Sequence, residues 1–372
     1  MNIPRKKIKV SKPQYRILFL NSAKVFGGTE RWTINAAKEL NSLGHQVYVG
    51  YRYEIIRDYA ETVGLKTVYF PLKNDADFLS VLSLVRFIKK EDIQVVIPTK
   101  VKEYWLGTIA ARLAHRKSII RLGIDRPIKK KWKNRKLYGK WVDRILVNAK
   151  AIQETLAKSG FIPTRKINII YNGVKIPAQL PEFRKNPDPL TLVYVGSLIK
   201  RKHADRLLEI FSQVKEKTKH IYLQLWIVGE GPEEESLKIL AQRLNLSHQV
   251  KFWGQRKDVS ELFAQSDALV LLSENEGFPN VALEAMANGV PVIISDVAGS
   301  GEIITHRENG LLVNRQNEQE IMKSMESLLE NSELRYKLRD NAFALVKKKY
   351  SLRSMADQLE ALLADLIDEK EI

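Results

Sequence analysis

Short apolar runs alternate with stretches of helical period along the whole chain. In the first half, strands are expected at residues 17–20, 47–50, 67–70, 95–97, 118–120, 145–147 and 167–170, with a helix at about 30–43 and helices between most of the other runs. Such alternation predicts repeated β-α units and therefore parallel strands. A second series opens at 192–195 and continues through 223–228, 250–252, 268–272 and 292–294. Two series of this kind predict an α/β protein with two doubly wound sheets, whose ligands sit beyond the carboxyl ends of the strands. Between them, YNGVKIPAQLPEFRKNPDPL is rich in proline and polar residues and lacks helical period, the signature of a linker. The expected division is a first domain at 1–175, a linker at 176–190 and a second domain at 191–351. From residue 316 onward the chain reads as helices broken near Ser332 and Ser351, with Ser351 a plausible N-cap.

Composition narrows the field. The 372 residues are 44% hydrophobic, enough core for two domains. Cysteine is absent, which excludes disulfides, thiolate nucleophiles and cysteine-held metal centres, and suits a reducing cytoplasm. The basic start, MNIPRKKIKVSKPQYR, lacks the apolar centre of a signal peptide, and no later run is long enough to cross a bilayer. A soluble or peripheral protein is expected. With 61 Lys+Arg against 43 Asp+Glu, the net charge is +18, which favours anionic partners: nucleic acid, acidic lipid or phosphorylated small molecules. The positive charge crowds into the first half.

Three loops carry candidate chemistry. In SENEGFPNVALEAMANG (273–289), Glu276 lies just before the Gly277-Phe278 turn, Pro279 suits the first helical position and Gly289 suits a helix stop. A helix start attracts phosphate, so a diphosphate fits against Phe278, Pro279 and Asn280, with Glu284 accepting from a ribose. A solvated pair of glutamates on a surface helix is the alternative. In NSAKVFGGTERW, Gly27 and Gly28 admit close backbone approach and Thr29 is placed to cap the following helix; an ordinary glycine turn is the competing reading. In VGSLIKRKHADRLLE, Gly196 ends a strand, and Arg201 and Lys202 can neutralise a diphosphate or simply be solvated.

In their strand-turn-helix-strand frame, Glu276 and Glu284 resemble the Glu-x7-Glu motif of retaining glycosyltransferases of family 4. Gly27-Gly28-Thr29-Glu30 resembles the Gly-Gly-x-Glu loop of that family, Gly196 with Arg201 and Lys202 its phosphate-binding signature, Asn172-Gly173-Val174 its domain junction, and VGEGPEEESL its Gly-x-Gly-Pro turn. The resemblance implies a GT-B fold of two Rossmann-like domains facing a cleft, with the last helix, about 352–372, crossing back onto the first domain. It implies a nucleotide-sugar as co-substrate, preferably of UDP rather than GDP or ADP, with neither metal nor other cofactor. Donor contacts are then expected from Gly27, Gly28, Gly196, Arg201, Lys202, Gln255 near the base, Phe278, Pro279, Asn280 and Glu284. Arg201, Lys202 and Glu276 are expected to carry catalysis. Three positions depart from the pattern: Ser197 replaces a usual arginine, His203 a usual glycine, and Gly123 a usual histidine.

The stretch 126–141, RPIKKKWKNRKLYGKW, interleaves cations with Trp132, Tyr138 and Trp141. Lysine near an anionic surface contributes about 1 kcal/mol and indole rings favour the interface, so a membrane-bound acceptor is the expected partner. A solvated helix with inward aromatics and, less readily, nucleic acid are the alternatives. Arg121, Asp125, Arg126, Lys130 and Trp132 are the residues placed on the acceptor or membrane side. The function expected is retaining transfer of a hexose-type sugar to a lipid-linked, lipopolysaccharide-like or other envelope glycan acceptor at the inner face of the cell membrane. A sugar-nucleotide epimerase of the same fold and a non-catalytic protein of anionic membrane surfaces are the competing classes.

Overall fold

The computed structural model describes residues 13–256, 258–274, 278–297 and 299–368. Seven strands, β1 (Arg16–Asn21), β2 (Gln46–Tyr51), β3 (Lys66–Tyr69), β4 (Val95–Pro98), β5 (Lys117–Leu122), β6 (Arg144–Val147) and β7 (Ile167–Ile169), form a sheet in the order β3-β2-β1-β4-β5-β6-β7. Six more, β8 (Leu190–Val195), β9 (Leu223–Val228), β10 (Val250–Gly254), β11 (Ala268–Leu271), β12 (Val292–Ser295) and β13 (Leu311–Val313), form a second in the order β10-β9-β8-β11-β12-β13. Neighbours run parallel throughout, as in Ile17 beside Val47 and Val193 beside Trp226. The central strands are apolar on both faces because helices cover both, whereas the edge strands β3 and β10 keep partly exposed residues. β13 was not expected from the sequence, since three apolar residues after Asn309-Gly310 carry too little pattern to read.

In each sheet the first strand has later strands on both sides, β2 and β4 beside β1, β9 and β11 beside β8. Chain direction away from the centre reverses there, leaving a crevice at the carboxyl ends. Both candidate glycine loops leave from these two strands.

On one face of the first sheet, the helix Gly28–Ser42 and the last helix, Leu352–Asp368, share a core: Phe19, Trp32 and Leu40 lie with Met355, Leu359, Leu363 and Leu366. Each buried leucine stabilises this docking by roughly 1.5–3 kcal/mol. The helices Phe78–Lys90 and Val101–Leu113 cover the other face through Leu84 and Leu106. Ser351 caps the last helix, its hydroxyl accepting from the Ser354 N–H at 3.1 Å.

The chain passes between the domains twice, and the passages touch. The Val174 N–H donates to the Tyr350 carbonyl at 2.8 Å and the Leu352 N–H to the Val174 carbonyl at 3.0 Å. A Cβ on Gly173 would lie 2.8 Å from the Ser351 carbonyl oxygen, so only glycine lets them approach. Further along, Arg335 donates to the Lys185 carbonyl at 2.8 Å and Arg339 to that of Pro181, fastening the linker to the second domain.

Candidate active site

After β1 the chain turns through Gly27 and Gly28 into the first helix. Gly27, not Thr29, is the cap residue: the Glu30 carboxylate reaches back to accept from the Gly27 N–H at 3.0 Å. Thr29 already lies in the first turn, where capping from within the helix is impossible, and its hydroxyl accepts from Arg121 instead, at 3.5 Å. A Cβ on Gly28 would meet nothing within 4 Å, so this backbone borders open space. Glu30 is buried, with Lys100 from the β4 loop as its ionic partner. Glu103, also from that loop's helix, accepts from the Ser22 and Lys100 N–H groups and ties the two loops together. Burial pushes its carboxyl up to about 7, against the lowering by these hydrogen bonds.

In the second domain the loops after β8, β9 and β10 are stitched to one another. The Leu198 N–H donates to the Glu230 carbonyl at 2.9 Å, the Gly229 N–H to that of Gly254 at 2.8 Å, and the Gln255 N–H to the Glu230 carboxylate at 3.3 Å. Cβ atoms on Gly229 and Gly231 would lie 1.9 Å from the Gly196 carbonyl oxygen and 2.2 Å from that of Leu198, so the Gly-Glu-Gly-Pro turn needs both glycines. Arg201 and Lys202 occupy a single 3-10 turn, Lys200–Lys202. His203 follows in the left-handed conformation, φ 50°, which explains why glycine suits that position. The Arg201 carbonyl accepts from the Glu274 N–H at 2.8 Å, joining this turn to the loop after β11. Gly196, Arg201, Lys202 and Gln255 thus lie on one set of linked loops, joined to the loop after β11 at Glu274.

The helix of that segment is Asn280–Ala287, and Pro279 precedes it rather than opening it, at φ −80°, ψ 77°. Pro279 has no N–H, and the Asn280 N–H donates to the Phe278 carbonyl at 2.9 Å. The helix start is therefore a narrower anion site than one with its full set of unpaired donors. Gly289 ends the helix with φ 74°, as its stop role requires. Glu276 and Gly277 lie outside the described residues.

First-domain side chains reach this helix directly. Arg31 Nη1 lies 3.0 Å from Glu284 Oε1, and Asn172 Nδ2 donates to Asn280 Oδ1 at 2.8 Å. Burial raises the Glu284 pKa, and the Arg31 charge opposes that rise. Tyr171 stacks on Phe278 at 5.4 Å. Beside them the Glu302 carboxylate accepts from the Lys150 and Ala151 N–H groups at 2.8 and 3.2 Å and from the Tyr171 hydroxyl at 3.0 Å. Arg31 and Glu302 escaped the sequence reading. Arg31 adjoins the Gly-Gly-x-Glu loop, yet an exposed arginine there carries no pattern of its own.

The acceptor-side residues separate. Arg121 does not face a membrane: it is 4% exposed, its guanidinium packed 4.6 Å from the Trp32 ring centroid. Burial drives its pKa down to about 10, against the raising by Tyr104 and the Glu30 carboxylate. A Cβ on Gly123 would lie 2.4 Å from Arg121 Nη1, so the guanidinium closes the place where histidine is usual. Asp125 has one buried carboxylate oxygen with no hydrogen-bond partner among the described residues. Arg126, Lys130 and Trp132 are exposed, Trp132 by 69%. Residues 126–131 carry no helix; a short helix, Trp132–Asn134, and a π-helical turn, Arg135–Trp141, follow. Tyr138 is buried and Trp141 meets Trp105 edge-on at 5.8 Å, so the stretch divides its aromatics between core and surface. A recess lined by Val101, Ile124, Arg126, Ile128 and Tyr138 opens beside it.

Two Rossmann-like domains meeting at the carboxyl ends of their sheets define a glycosyltransferase-type GT-B architecture. The structure superposes on that of Anabaena HepE in complex with UDP with a TM-score of 0.82, at 21% identity, covering 94% of this chain and 100% of that one. Residues 26–176 match the family described as Glycosyltransferase Family 4, and residues 175–345 that described as Glycosyl transferases group 1. The chain belongs to family 4 of the GT-B glycosyltransferases. It is 28% identical to an uncharacterized glycosyltransferase of Haemophilus influenzae over 91% of this chain and 96% of that protein. It is 25% identical to the UDP-Gal:alpha-D-GlcNAc-diphosphoundecaprenol alpha-1,3-galactosyltransferase of Escherichia coli, over 79% of this chain and 81% of that one. Other curated glycosyltransferases match over a little more than half of their own length.

Proposed function

We propose that this glycosyltransferase moves a hexose-type sugar from a UDP-sugar to a lipid-linked or lipopolysaccharide-like acceptor of the cell envelope, with retention of the anomeric configuration. One observation carries the donor assignment: Asn280 and Glu284, one turn apart, both meet first-domain side chains across the cleft, so that helix edge borders both domains. The diphosphate lies between the helix start and the Arg201-Lys202 turn, which supply its positive charge without a metal or other cofactor. Glu284 takes the ribose hydroxyls, and Glu276 a hydroxyl of the transferred sugar. The bond from the anomeric carbon to the diphosphate oxygen breaks as the acceptor oxygen attacks on the same face. A departing diphosphate oxygen takes the acceptor's proton, so no protein base is needed.

UDP is the nucleotide favoured by the superposition on HepE, whose structure holds UDP, and by the Escherichia coli relative, whose donor is UDP-Gal. That relative's acceptor is a diphosphoundecaprenol, which supports a lipid-linked acceptor here. Glu284→Ala is expected to weaken UDP binding roughly 10- to 100-fold, the loss of charge-assisted hydrogen bonds worth about 1.5–3 kcal/mol. Calorimetric titration with UDP, GDP and ADP on both proteins checks it; no binding by the wild type would remove the donor site. Acceptor-dependent release of free UDP distinguishes transfer from epimerisation and from simple surface binding.

The recess beside Trp132, with Val101 48% and Ile124 66% exposed under a cationic rim, suits the lipid end of such an acceptor at an anionic membrane face. Among the described residues no helix is long and apolar enough to cross a membrane, so the association we propose is peripheral, on the inner face. Sedimentation with anionic vesicles should fall severalfold on replacing Lys129, Lys130 and Lys131 by glutamine. Equal sedimentation with neutral vesicles would dismiss the surface reading.

A further inference from the structure

Arg121 is a buried cation whose side-chain hydrogen bonds go to neutral groups, while the buried Glu30 carboxylate favours its charge through space. Nη2 donates to Asn172 Oδ1 at 3.1 Å and Nη1 to Thr29 Oγ1 at 3.5 Å, while the Trp32 ring supports the guanidinium from below. Holding a charge this far from water is costly, so a residue that merely filled space would be better apolar. Two further facts give the charge a task. Gly123, two residues on, leaves the guanidinium its seat: any side chain there meets Nη1 at 2.4 Å and the guanidinium carbon at 2.8 Å. Asn172, itself 5% exposed, spends its other end on Asn280, the first residue of the helix that faces the donor. Because Asn172 accepts through Oδ1 and donates through Nδ2, Arg121 dictates which way its amide points.

We propose that Arg121 is a positioning residue for the donor site: seated over Gly123, its guanidinium orients the Asn172 amide, and Asn172 in turn fixes Asn280 at the start of the helix Asn280–Ala287. The relay runs from the glycine loop after β1, through the domain junction, to the helix of the second domain. With the guanidinium gone, Asn172 Oδ1 loses its 3.1 Å donor and the amide plane is held less firmly, so its 2.8 Å bond orders Asn280 and the helix start less well. Gly123→Ala acts on the same guanidinium without removing a hydrogen-bonding group, because a contact of 2.4 Å forces it to shift off its seat. This inference rests on the reading that the helix start holds the donor diphosphate.

The experiment is calorimetric titration of UDP into the full chain as wild type, Arg121→Gln, Gly123→Ala and the double variant, with a thermal melt of each. The expected result is UDP binding by the wild type, weakening of about tenfold in each single variant, and a double variant within twofold of either single, since both changes remove the same guanidinium. Arg121→Lys should fail to restore affinity, because a point charge cannot hold the planar fork to Thr29 and Asn172. Should Arg121→Gln not fold, Asn172→Ala supplies the same comparison against Gly123→Ala. Single variants that fold and bind UDP like the wild type would overturn the inference while leaving the donor site standing. So would effects that multiply in the double variant, the mark of two unrelated structural roles. A wild type that binds no UDP would overturn the donor reading itself, and the relay with it.

Discussion

Replacing Arg201 by alanine should lower kcat for sugar transfer by roughly 10²- to 10³-fold, about 2.7–4 kcal/mol, the scale of losing one preorganised donor to a developing oxyanion. The substitution isolates the side chain, because the backbone contact that places this turn, the Arg201 carbonyl with the Glu274 N–H at 2.8 Å, survives it. Negative charge on the departing diphosphate is greatest in the transition state, so the loss falls on kcat more than on the KM for donor. Lys202 stays in the same turn and keeps part of the charge, which holds the defect short of complete inactivation. Arg201→Lys should recover only part of the rate, since an ammonium does not reproduce the two-pronged guanidinium contact. Steady-state kinetics with a UDP-sugar and acceptor decides it: turnover near that of the wild type would take Arg201 out of the mechanism.

Gly229→Ala should damage both stability and donor binding. At φ 136° an L-residue is strained, of order 1–3 kcal/mol before any contact is considered. The new Cβ would then stand 1.9 Å from a backbone oxygen, that of Gly196, which cannot turn aside like a flexible side chain. Relief requires moving the 196–203 loop, and the Arg201-Lys202 turn moves with it. The melting midpoint is expected to drop by roughly 2–12 °C, with UDP affinity down at least tenfold. A variant that melts and binds as the wild type would mean that the loops after β8 and β9 separate without consequence.

The repeating β-α order and the helix stop at Gly289 were legible because each rests on local chemistry: continuous apolar runs and a left-handed turn. Where two local signals competed, the sequence misled. Thr29 is a good cap residue, but Glu30 reaching back to Gly27 sets the helix start two residues earlier. Pro279 suits a first turn, yet the Phe278 carbonyl captures the Asn280 N–H and the helix opens after the proline. β13 is too short for period to register and exists because β12 offers it an edge. The cross-cleft pairs Arg31 with Glu284 and Asn172 with Asn280 join residues far apart in the chain, and no spacing rule connects them. Arg121 is the clearest case: a cation beside a basic stretch reads as surface, yet it is buried on β5 with its guanidinium against Trp32 and over Gly123.

The bonding of Val174 to Tyr350 and Leu352 places both covalent passages between the domains along a single line. A body joined to another by two adjacent straps can swing about them but can hardly slide or twist. Beyond that line Arg335 and Arg339 hold the linker to the second domain, so the swing is concentrated at 172–174 and 350–352 rather than spread along the linker. Any opening of the cleft therefore pivots on that crossing, like a book on its spine.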